Sequence, residues 1–370
     1  MSLLNKQGRL TPASIRLLLA TLALLLLGLL MVYSASYGYA LSGYSDTAGD
    51  LTHFFKRQLV AAVMGLVLLV GFTLLDYRIL VRYSVWILGG TFAIIVPTAF
   101  FGRWMFGTWG QLAELARLLA IIYLAIWLAQ KGGQIRSLTL GFLPFGLLVG
   151  LITGLIVLQP DFSTAMLMFI TAMAMVFVAG ADIRQILPTI LLVAPSAIGV
   201  ALLLKHRERI FGWLETSFQG AAEQDTQVAQ CLMAINRGGL FGVGLGNSKL
   251  KYVIYAAHSD AIFAIIGEEF GLLGTASTMA LFGLWTWWGL RVAAEARDPF
   301  GRILAIGLTM WVALGALINI AGTLNAIPFT GSVLPFISSG GSSLVTTLAS
   351  VGLMLSIARA EGPARLERVL

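Results

Sequence analysis

Stretches of roughly twenty residues without a charged side chain recur along almost the whole sequence. A helix needs about 20 apolar residues to cross the roughly 30 Å hydrocarbon core of a membrane. The chain is 58% hydrophobic and only 11% charged, whereas about 25% of the residues in a soluble protein are charged. A soluble core has no room for so much apolar surface, so the sequence predicts an all-α polytopic membrane protein.

The spacing of the charges predicts about ten transmembrane helices. These spans are residues 16–46, 58–75, 83–102, 110–130, 137–160, 162–181, 185–204 and 259–285, with two more inside 303–358. The last two are separated because Pro328, Pro335 and Gly340-Gly341 interrupt an otherwise uncharged run. No polar linker divides the chain, so residues 1–370 are interpreted as a single membrane domain.

Positive charge sets the predicted orientation, because short cytoplasmic loops keep an excess of Lys and Arg. With the N-terminus inside, the inner segments hold fourteen such residues and the short outer loops hold three. We therefore expect cytoplasmic N- and C-termini and a large extracytoplasmic loop, about residues 205–258, between spans 7 and 8. A secretory signal peptide that ends near Ser34-Ala35-Ser36 is the alternative for span 1.

Several classes of site are disfavoured by composition. Cys231 is the only cysteine, which excludes an intramolecular disulfide and a cysteine-based metal site. The three histidines lack metal-ligand spacing, so a zinc enzyme is not expected. A formal charge of +7 raises the possibility of a nucleic acid partner, but the cations are scattered over loops on both faces. Anionic lipid headgroups account for them better, and no nucleic acid partner is predicted.

The large outer loop is basic, aromatic and rich in glycine. Its cations alternate with aromatic residues, a mixture that suits the level of the lipid headgroups. An interfacial amphipathic segment is therefore one interpretation, and an outward-facing reaction surface is the other. Five glycines between Gly238 and Gly246 resemble a phosphate-binding loop, but no strand precedes them. Turns are the favoured interpretation of these glycines.

Three carboxylates lie at the start of span 8. Asp260 precedes the apolar run, and Glu268 and Glu269 follow about two turns later, about 12 Å along the helix. Asp260 has the alternative role of an N-cap. Carboxylates inside a membrane cost several kcal/mol, so they usually line a cavity, form pairs or act in function. One face of this span is therefore predicted to be polar.

Two motifs now point to a known family. Residues 255–271, Tyr-Ala-Ala-His-Ser-Asp-Ala-Ile-Phe-Ala-Ile-Ile-Gly-Glu-Glu-Phe-Gly, resemble a signature of the SEDS proteins of shape, elongation, division and sporulation. Residues 327–331 and 334–343, Ile-Pro-Phe-Thr-Gly and Leu-Pro-Phe-Ile-Ser-Ser-Gly-Gly-Ser-Ser, resemble that family's loop between helices 9 and 10. Shorter matches at 55–59, 103–104, 159–161 and 227–240 extend the resemblance over nearly the whole chain.

The resemblance implies a ten-helix peptidoglycan glycosyltransferase of the bacterial cytoplasmic membrane. Such enzymes polymerise lipid II on the outer face, beside a class B penicillin-binding protein, in complexes for elongation or division. Asp260 matches the family's essential aspartate and is predicted to be the catalytic general base. The choice between elongation, division and sporulation stays open.

Substrate contacts are predicted mainly from the same motifs. Cations of the outer segments are expected to bind the pyrophosphate, with or without a divalent cation such as Mg or Mn. Glu114 and Arg117, three residues apart, are expected to meet on one helix face. Glu268 and Glu269 are assigned to the polar face of span 8. The candidate substrate-binding residues are Arg103, Glu114, Arg117, Asp161, Arg207, Arg209, Gln227, Gln230, Lys249, Ser338, Gly340, Gly341 and Ser342.

The chain departs from the family pattern at several positions. The family usually has Pro and Ser where Leu112 and Ala113 stand here, and Lys at the position of Arg117. Other departures are Ala261 for Phe, Ser339 for Tyr and Cys231 for Ser. None removes Asp260, so they bear on the details of substrate contacts.

Two rival functions belong to different classes. A lipid II flippase would also use polar groups inside the membrane and a basic outer surface. However, a transporter needs polar residues through the midplane, whereas Asp260, Asp161 and Arg103 are predicted at the outer boundary. A non-catalytic scaffold for a penicillin-binding protein would not need Asp260.

Overall fold

The computed structural model describes residues 8, 10–41, 52–101, 109–159, 161–191, 213 and 227–360. Nearly all of these residues are helical, and there is no strand among them. The main helices are α1 (Pro12–Leu41), α2 (His53–Leu74), α3 (Ser84–Phe101), α4 (Trp109–Lys131), α5 (Leu143–Leu158), α6 (Phe162–Val178), α7 (Gln227–Gly238), α8 (Ile262–Glu295), α9 (Pro299–Thr323) and α10 (Gly341–Arg359). Residues 183–191 are also helical, and short helical turns occupy Ile79–Arg82, Gly132–Arg136, Leu138–Phe142 and Leu250–Tyr252.

Eight helical segments of the described chain are long and apolar enough to cross a membrane. They cover α1 to α5 and α8 to α10, and the apolar helix α6 is shorter, with 17 residues. The prediction of an all-α polytopic membrane protein is confirmed. Most of the predicted span 185–204 lies outside the described residues, so the total of ten helices stays a prediction.

The two ends of the described chain meet on one side of the bundle. The backbone N–H of Gly8, which precedes α1, donates to the carbonyl of Arg359, the last residue of α10, at 2.8 Å. The first and last described residues therefore lie on the same side of the bundle. We call this side the basic end, because Arg16, Arg291 and Lys131 lie there, and the opposite side the site end. The cytoplasmic location of the basic end remains a prediction.

Close helix packing holds the bundle together. Helices α1 and α8 are antiparallel, and the indole N–H of Trp285 donates to the Thr21 hydroxyl at 2.9 Å. Between α2 and α10, a Cβ on Gly352 would lie 2.5 Å from the carbonyl oxygen of Leu69. Small residues allow such close approach, which drives helix association in membranes.

Helix α8 is longer than predicted and is broken near its first third. The prediction ended this span at residue 285, but the helix continues to Glu295, because the residues that follow 285 still suit a membrane interface. Gly271 has φ 67° and ψ −158°, which interrupts the helix. The part after Gly271 is about 36 Å long at 1.5 Å per residue, enough to cross the membrane. The part before Gly271 belongs to the site end.

Candidate active site

The two motifs, about eighty residues apart in sequence, are hydrogen-bonded to each other at the site end. The backbone N–H of Ser339 donates to the carbonyl of His258 at 2.9 Å. The hydroxyl of Ser338 donates to the carbonyl of Ser259 at 2.5 Å, and it accepts from the N–H of Leu334 at 2.7 Å. The loop between α9 and α10 therefore fixes the segment that carries Asp260.

We call these hydrogen bonds between the two motifs the junction. Two amide side chains connect the junction to neighbouring helices. Gln58 of α2, buried at 1% exposure, donates to the carbonyl of Ser338 at 3.0 Å and accepts from the N–H of Gly340 at 3.3 Å. The amide nitrogen of Asn319 in α9 donates to the carbonyl of Asp260 at 2.9 Å and also to the carbonyl of Ser332. Asn319 was missed from the sequence, although a lone amide in an apolar span is a signal.

Asp260 is half-buried immediately before α8. The N-cap residue of α8 is Ala261, so the alternative role of Asp260 as the N-cap is wrong. Gly331, at φ 66°, lies against the carboxylate, and a Cβ on it would be 3.3 Å from Oδ2 of Asp260. Because any other residue there would be strained and would crowd this oxygen, glycine keeps the carboxylate accessible.

A cavity of about 710 Å³ adjoins Asp260 through Gly331, which lines it. Helices α4, α6, α9 and α10 form its walls, and residues 327–335 form one side. Trp213 also lines the cavity, and its indole N–H donates to the carbonyl of Asn325 at 3.0 Å. Its other polar lining residues include Thr330, Ser332, Ser343 and Thr347. The sequence did not predict these four residues or Trp213 as substrate contacts.

Three charged side chains lie together in this cavity. Arg117 contacts Glu114 at 2.7 Å, as expected from their spacing, and also Asp161 at 2.9 Å. Asp161 in addition accepts from the N–H of Thr164 at 3.1 Å, which caps α6. Asp161 therefore both caps α6 and lines the cavity. Two carboxylates against one guanidinium leave the cluster with a formal charge of −1.

Glu268 and Glu269 lie elsewhere and have protein partners. Glu268 is fully buried; it contacts Arg237 at 3.2 Å and accepts from the hydroxyl of Ser248 and the N–H of Lys249. Glu269 accepts from the Ser34 hydroxyl at 2.6 Å. Neither glutamate lines the cavity described above.

The glycine-rich segment after α7 fits into the break of α8. The N–H of Gly244 donates to the carbonyl of Glu269, and the N–H of Leu272 donates to the carbonyl of Gly239, at 3.0 and 2.8 Å. Gly242 has φ 82°, and a Cβ on it would lie 2.1 Å from the carbonyl oxygen of Glu269. Close backbone approach, in addition to turn geometry, thus explains glycine here.

The other candidates for substrate binding are distributed around the cavity or outside it. Ser338 is buried and engaged in the junction, and the side-chain amide of Gln227 donates to the carbonyl of Tyr255 at 2.8 Å. Lys249 is exposed. Of the predicted contacts, Glu114, Arg117 and Asp161 line the cavity, whereas Gln227, Gln230, Lys249, Ser338, Gly340, Gly341 and Ser342 do not. Arg103, Arg207 and Arg209 lie outside the described residues.

A metal centre is not apparent in the part of the chain that the structure describes. That part contains no group of three or more His, Cys, Asp or Glu side chains suited to hold a metal ion. The two cavity carboxylates are both bound to Arg117. The divalent cation considered from the sequence stays a prediction, and no chemical step is assigned to it.

His258 is not suited to act as an acid at neutral pH. Its ring contacts that of Phe54, with 4.4 Å between the centroids. Burial lowers the pKa of His258 to about 4, because the charged form loses hydration. The imidazole is therefore neutral at pH 7. Asp260, two residues further along the chain, carries the neighbouring carboxylate.

The sequence matches a family model described as "Cell cycle protein", of the FtsW, RodA and SpoVE proteins, over residues 15–362. The chain belongs to this family. Family membership confirms the resemblance inferred from residues 255–271 and 327–343.

Curated members of the FtsW, RodA and SpoVE family resemble the chain over most of its length. A "Probable peptidoglycan glycosyltransferase FtsW" of Geobacter metallireducens is 33% identical over 92% of this chain and 93% of its own. The protein of that name from Bacillus subtilis is 35% identical over 89% of this chain and 86% of its own.

Solved structures of the family share the fold. RodA of Thermus thermophilus aligns with a TM-score of 0.65 and 24% identity, covering 94% of this chain and 97% of its own. A chain of a complex described as coordinating "polymerization and crosslinking by a peptidoglycan synthase complex" aligns with a TM-score of 0.70 and 24% identity, covering 93% and 96%. Both likenesses bear on the fold alone.

The departures from the family pattern leave the junction intact. Ser339 bonds to His258 through its backbone N–H, so the bond does not depend on the side chain. Ala261 is fully buried at the start of α8. Arg117 uses two guanidinium nitrogens for two carboxylates, a forked contact that the single nitrogen of lysine cannot reproduce.

Proposed function

We propose that the protein is a peptidoglycan glycosyltransferase that polymerises lipid II into glycan strands, with Asp260 as the general base. The names of its curated relatives give the activity as peptidoglycan glycosyltransferase, which supports this proposal. The protein is a multi-pass membrane protein; we place it in the cytoplasmic membrane of a bacterium, with the site end facing outward.

The position of Asp260 at the edge of the cavity is the observation that carries this proposal. The carboxylate lies against Gly331 of the cavity wall, and its backbone is fixed by Asn319. A base has to be held within hydrogen-bond reach of the proton that it removes. The junction of the two motifs supplies that positioning.

In the proposed step, the 4-hydroxyl of the acceptor sugar attacks the anomeric carbon of the donor. A carbon–oxygen bond forms on one face of that carbon while the bond to the pyrophosphate oxygen breaks on the other, so the configuration inverts. The hydroxyl proton moves to the Asp260 carboxylate. The leaving polyprenyl pyrophosphate carries both electrons of the broken bond and gains negative charge, which cations stabilise.

The cavity offers distinct regions for the parts of such a substrate. Arg117 is the one cation among its described lining residues and is a proposed contact for the pyrophosphate, together with the predicted Arg103, Arg207 and Arg209. Glu114 and Asp161 have acceptor oxygens for sugar hydroxyls. The wall made by Leu167, Trp311 and other apolar side chains of α6 and α9 suits part of the lipid tail.

We also propose a class B penicillin-binding protein as the partner, in an elongation or division complex. The fold likeness to a chain of a peptidoglycan synthase complex supports this assignment. Polymerisation and crosslinking would then occur side by side.

Polymerisation of labelled lipid II by the purified protein, with and without a class B penicillin-binding protein, tests the function. We expect strands from the wild type and at least a 10²-fold loss in Asp260→Asn, because the amide cannot accept the proton. Asp182→Asn is the matched control, since Asp182 is exposed and remote from the cavity.

The outcomes separate the rival functions. Full activity of Asp260→Asn would show that Asp260 is not the general base. Absence of strands with wild-type protein that binds lipid II beside its partner would favour the flippase or the scaffold, and a flipping assay in vesicles would distinguish those two.

A further inference from the structure

A small cleft at the basic end, about 290 Å³ in volume, combines two arginines with two tryptophans. Arg16 comes from the first turns of α1, and Trp287, Trp288 and Arg291 come from the last turns of α8. Glu295 also lines the cleft, so its formal charge is +1. This cleft lies at the opposite end of the bundle from Asp260 and plays no part in the proposed polymerisation.

Each arginine places its guanidinium over a tryptophan ring. The guanidinium carbon of Arg16 lies 4.6 Å from the ring centroid of Trp288, and that of Arg291 lies 5.1 Å from the centroid of Trp287. A guanidinium that stacks on an indole face keeps its N–H groups free in its own plane. Stacking thus restrains both cations without using their hydrogen-bond donors.

Neither guanidinium has an acceptor within the part of the chain that the structure describes. No ion pair or side-chain hydrogen bond joins Arg16 or Arg291 to another described residue. This differs from Arg78, Arg117 and Arg237, which all contact carboxylates. Two restrained guanidinium groups over one cleft can donate several hydrogen bonds to the oxygens of one phosphate.

The surroundings indicate that the phosphate belongs to a lipid. Tryptophans that are partly exposed at the end of a span mark the headgroup level of the membrane. From the cleft toward the middle of the bundle, the exposed side chains on both helices are apolar, including Leu19 at 60% and Leu284 at 52% exposure. These two stripes provide a surface for acyl chains directly beside the cleft.

We infer that this cleft binds an anionic phospholipid, with the phosphate held by Arg16 and Arg291 and the acyl chains along α1 and α8. A glycerol headgroup adds hydroxyl donors for the Glu295 carboxylate, so phosphatidylglycerol is the probe of choice. Basic pockets between transmembrane helices are known binding sites for such headgroups.

Native mass spectrometry of the full chain in detergent, titrated with equal amounts of phosphatidylglycerol and phosphatidylcholine, tests the site. We expect the wild type to retain phosphatidylglycerol selectively. The double variant Arg16→Gln/Arg291→Gln should bind it roughly twenty-five-fold more weakly, at about a factor of five for each arginine. The matched double variant Arg297→Gln/Arg302→Gln removes the same charge from exposed positions outside the cleft and should stay within about twofold.

Three results would overturn the site. They are equal losses in the two double variants, no preference between the two lipids, and full displacement of the lipid by equimolar inorganic phosphate, which would indicate a simple anion site. If the glutamine variant does not fold, the same titration is made with Arg16→Lys/Arg291→Lys, which retains both positive charges. It should bind several-fold more weakly than the wild type, because an ammonium lacks the planar fork, and unchanged binding would contradict the proposal.

Discussion

Two groups of charged residues at the site end differ in how completely the protein surrounds them. In the cavity group, Glu114, Arg117 and Asp161 contact one another but face an open space, and the Asp161 side chain is 34% exposed. In the buried group around α8, Glu268 and Glu269 have no more than 1% exposure. Both groups contain two carboxylates, but the buried pair faces Arg237 and Lys251, whereas the cavity pair shares Arg117.

This difference in burial indicates a structural role for the buried group and a chemical role for the cavity group. Glu268 receives a guanidinium, a hydroxyl and two backbone N–H groups, which leaves little for a ligand to satisfy. The cavity group retains exposed oxygens and N–H donors in the cavity that Gly331 separates from Asp260. The contacts of Glu268 hold separate segments together, whereas charges that remain partly solvated beside a cavity are available to a substrate.

The largest effect on stability is expected for Glu268→Gln. The substitution keeps the volume but removes the charge of a fully buried carboxylate that accepts from Arg237, Ser248 and two backbone N–H groups. Weakening these charge-assisted hydrogen bonds costs about 3 kcal/mol. Thermal unfolding in detergent should show this loss. Glu114→Gln is the comparison, with a smaller loss of about 1 kcal/mol expected, since the Glu114 side chain borders the cavity and Arg117 keeps its contact with Asp161. Equal losses for the two variants would contradict the distinction.

For activity, the largest effect within the cavity group is expected for Arg117→Ala. Loss of a charged contact to the reacting substrate lowers the polymerisation rate about 10²-fold, or about 2.7 kcal/mol in the barrier. Arg117→Lys keeps the charge and should recover part of the rate. A rate within twofold of the wild type for Arg117→Ala would show that the cavity group is structural as well.

Glycines offer a finer contrast between the two regions. Gly242→Ala places a methyl group 2.1 Å from the carbonyl oxygen of Glu269 at φ 82°, so we expect a destabilisation of about 2 kcal/mol. Gly340→Ala meets nothing closer than 3.5 Å and should leave the melting temperature almost unchanged. A loss of activity in a stable Gly340→Ala protein would then identify space needed by substrate.

The smallest expected effect concerns pH and His258. Its pKa of about 4 in the folded protein lies below the unfolded value of 6.5, so between these values the unfolded state binds more protons. Stability from this group is complete above pH 6.5 and falls as the pH decreases toward 4. The free energy of unfolding should therefore decrease by about 1 kcal/mol between pH 7 and pH 5.5. His258→Gln should remove this dependence, whereas His53→Gln, at an exposed position, should retain it.

Much of the fold could be predicted because membrane crossing imposes a length and a composition on each helix. The break between α9 and α10 followed from Pro328 and Gly340, and the contact of Glu114 with Arg117 followed from their three-residue spacing. These features depend on neighbours in sequence.

The unpredicted features depend on distant parts of the chain. Asp161 joins Arg117 across 44 residues, and Asn319 reaches Asp260 across 59. Lys249 was proposed as a substrate contact from its charge alone, but its side chain is exposed outside the cavity. Its backbone N–H is bound by Glu268, a constraint that no local pattern reveals.

The junction between the two motifs has a consequence for exchanging parts between relatives. Ser338 and Ser339 bond to the carbonyls before Asp260, while Gln58 of α2 bonds to both sides of Ser339. A chimera that imports residues 255–271 without residues 327–343 and the start of α2 would therefore lose these matched hydrogen bonds next to Asp260. These three stretches form a single module for protein engineering, although most of the chain separates them.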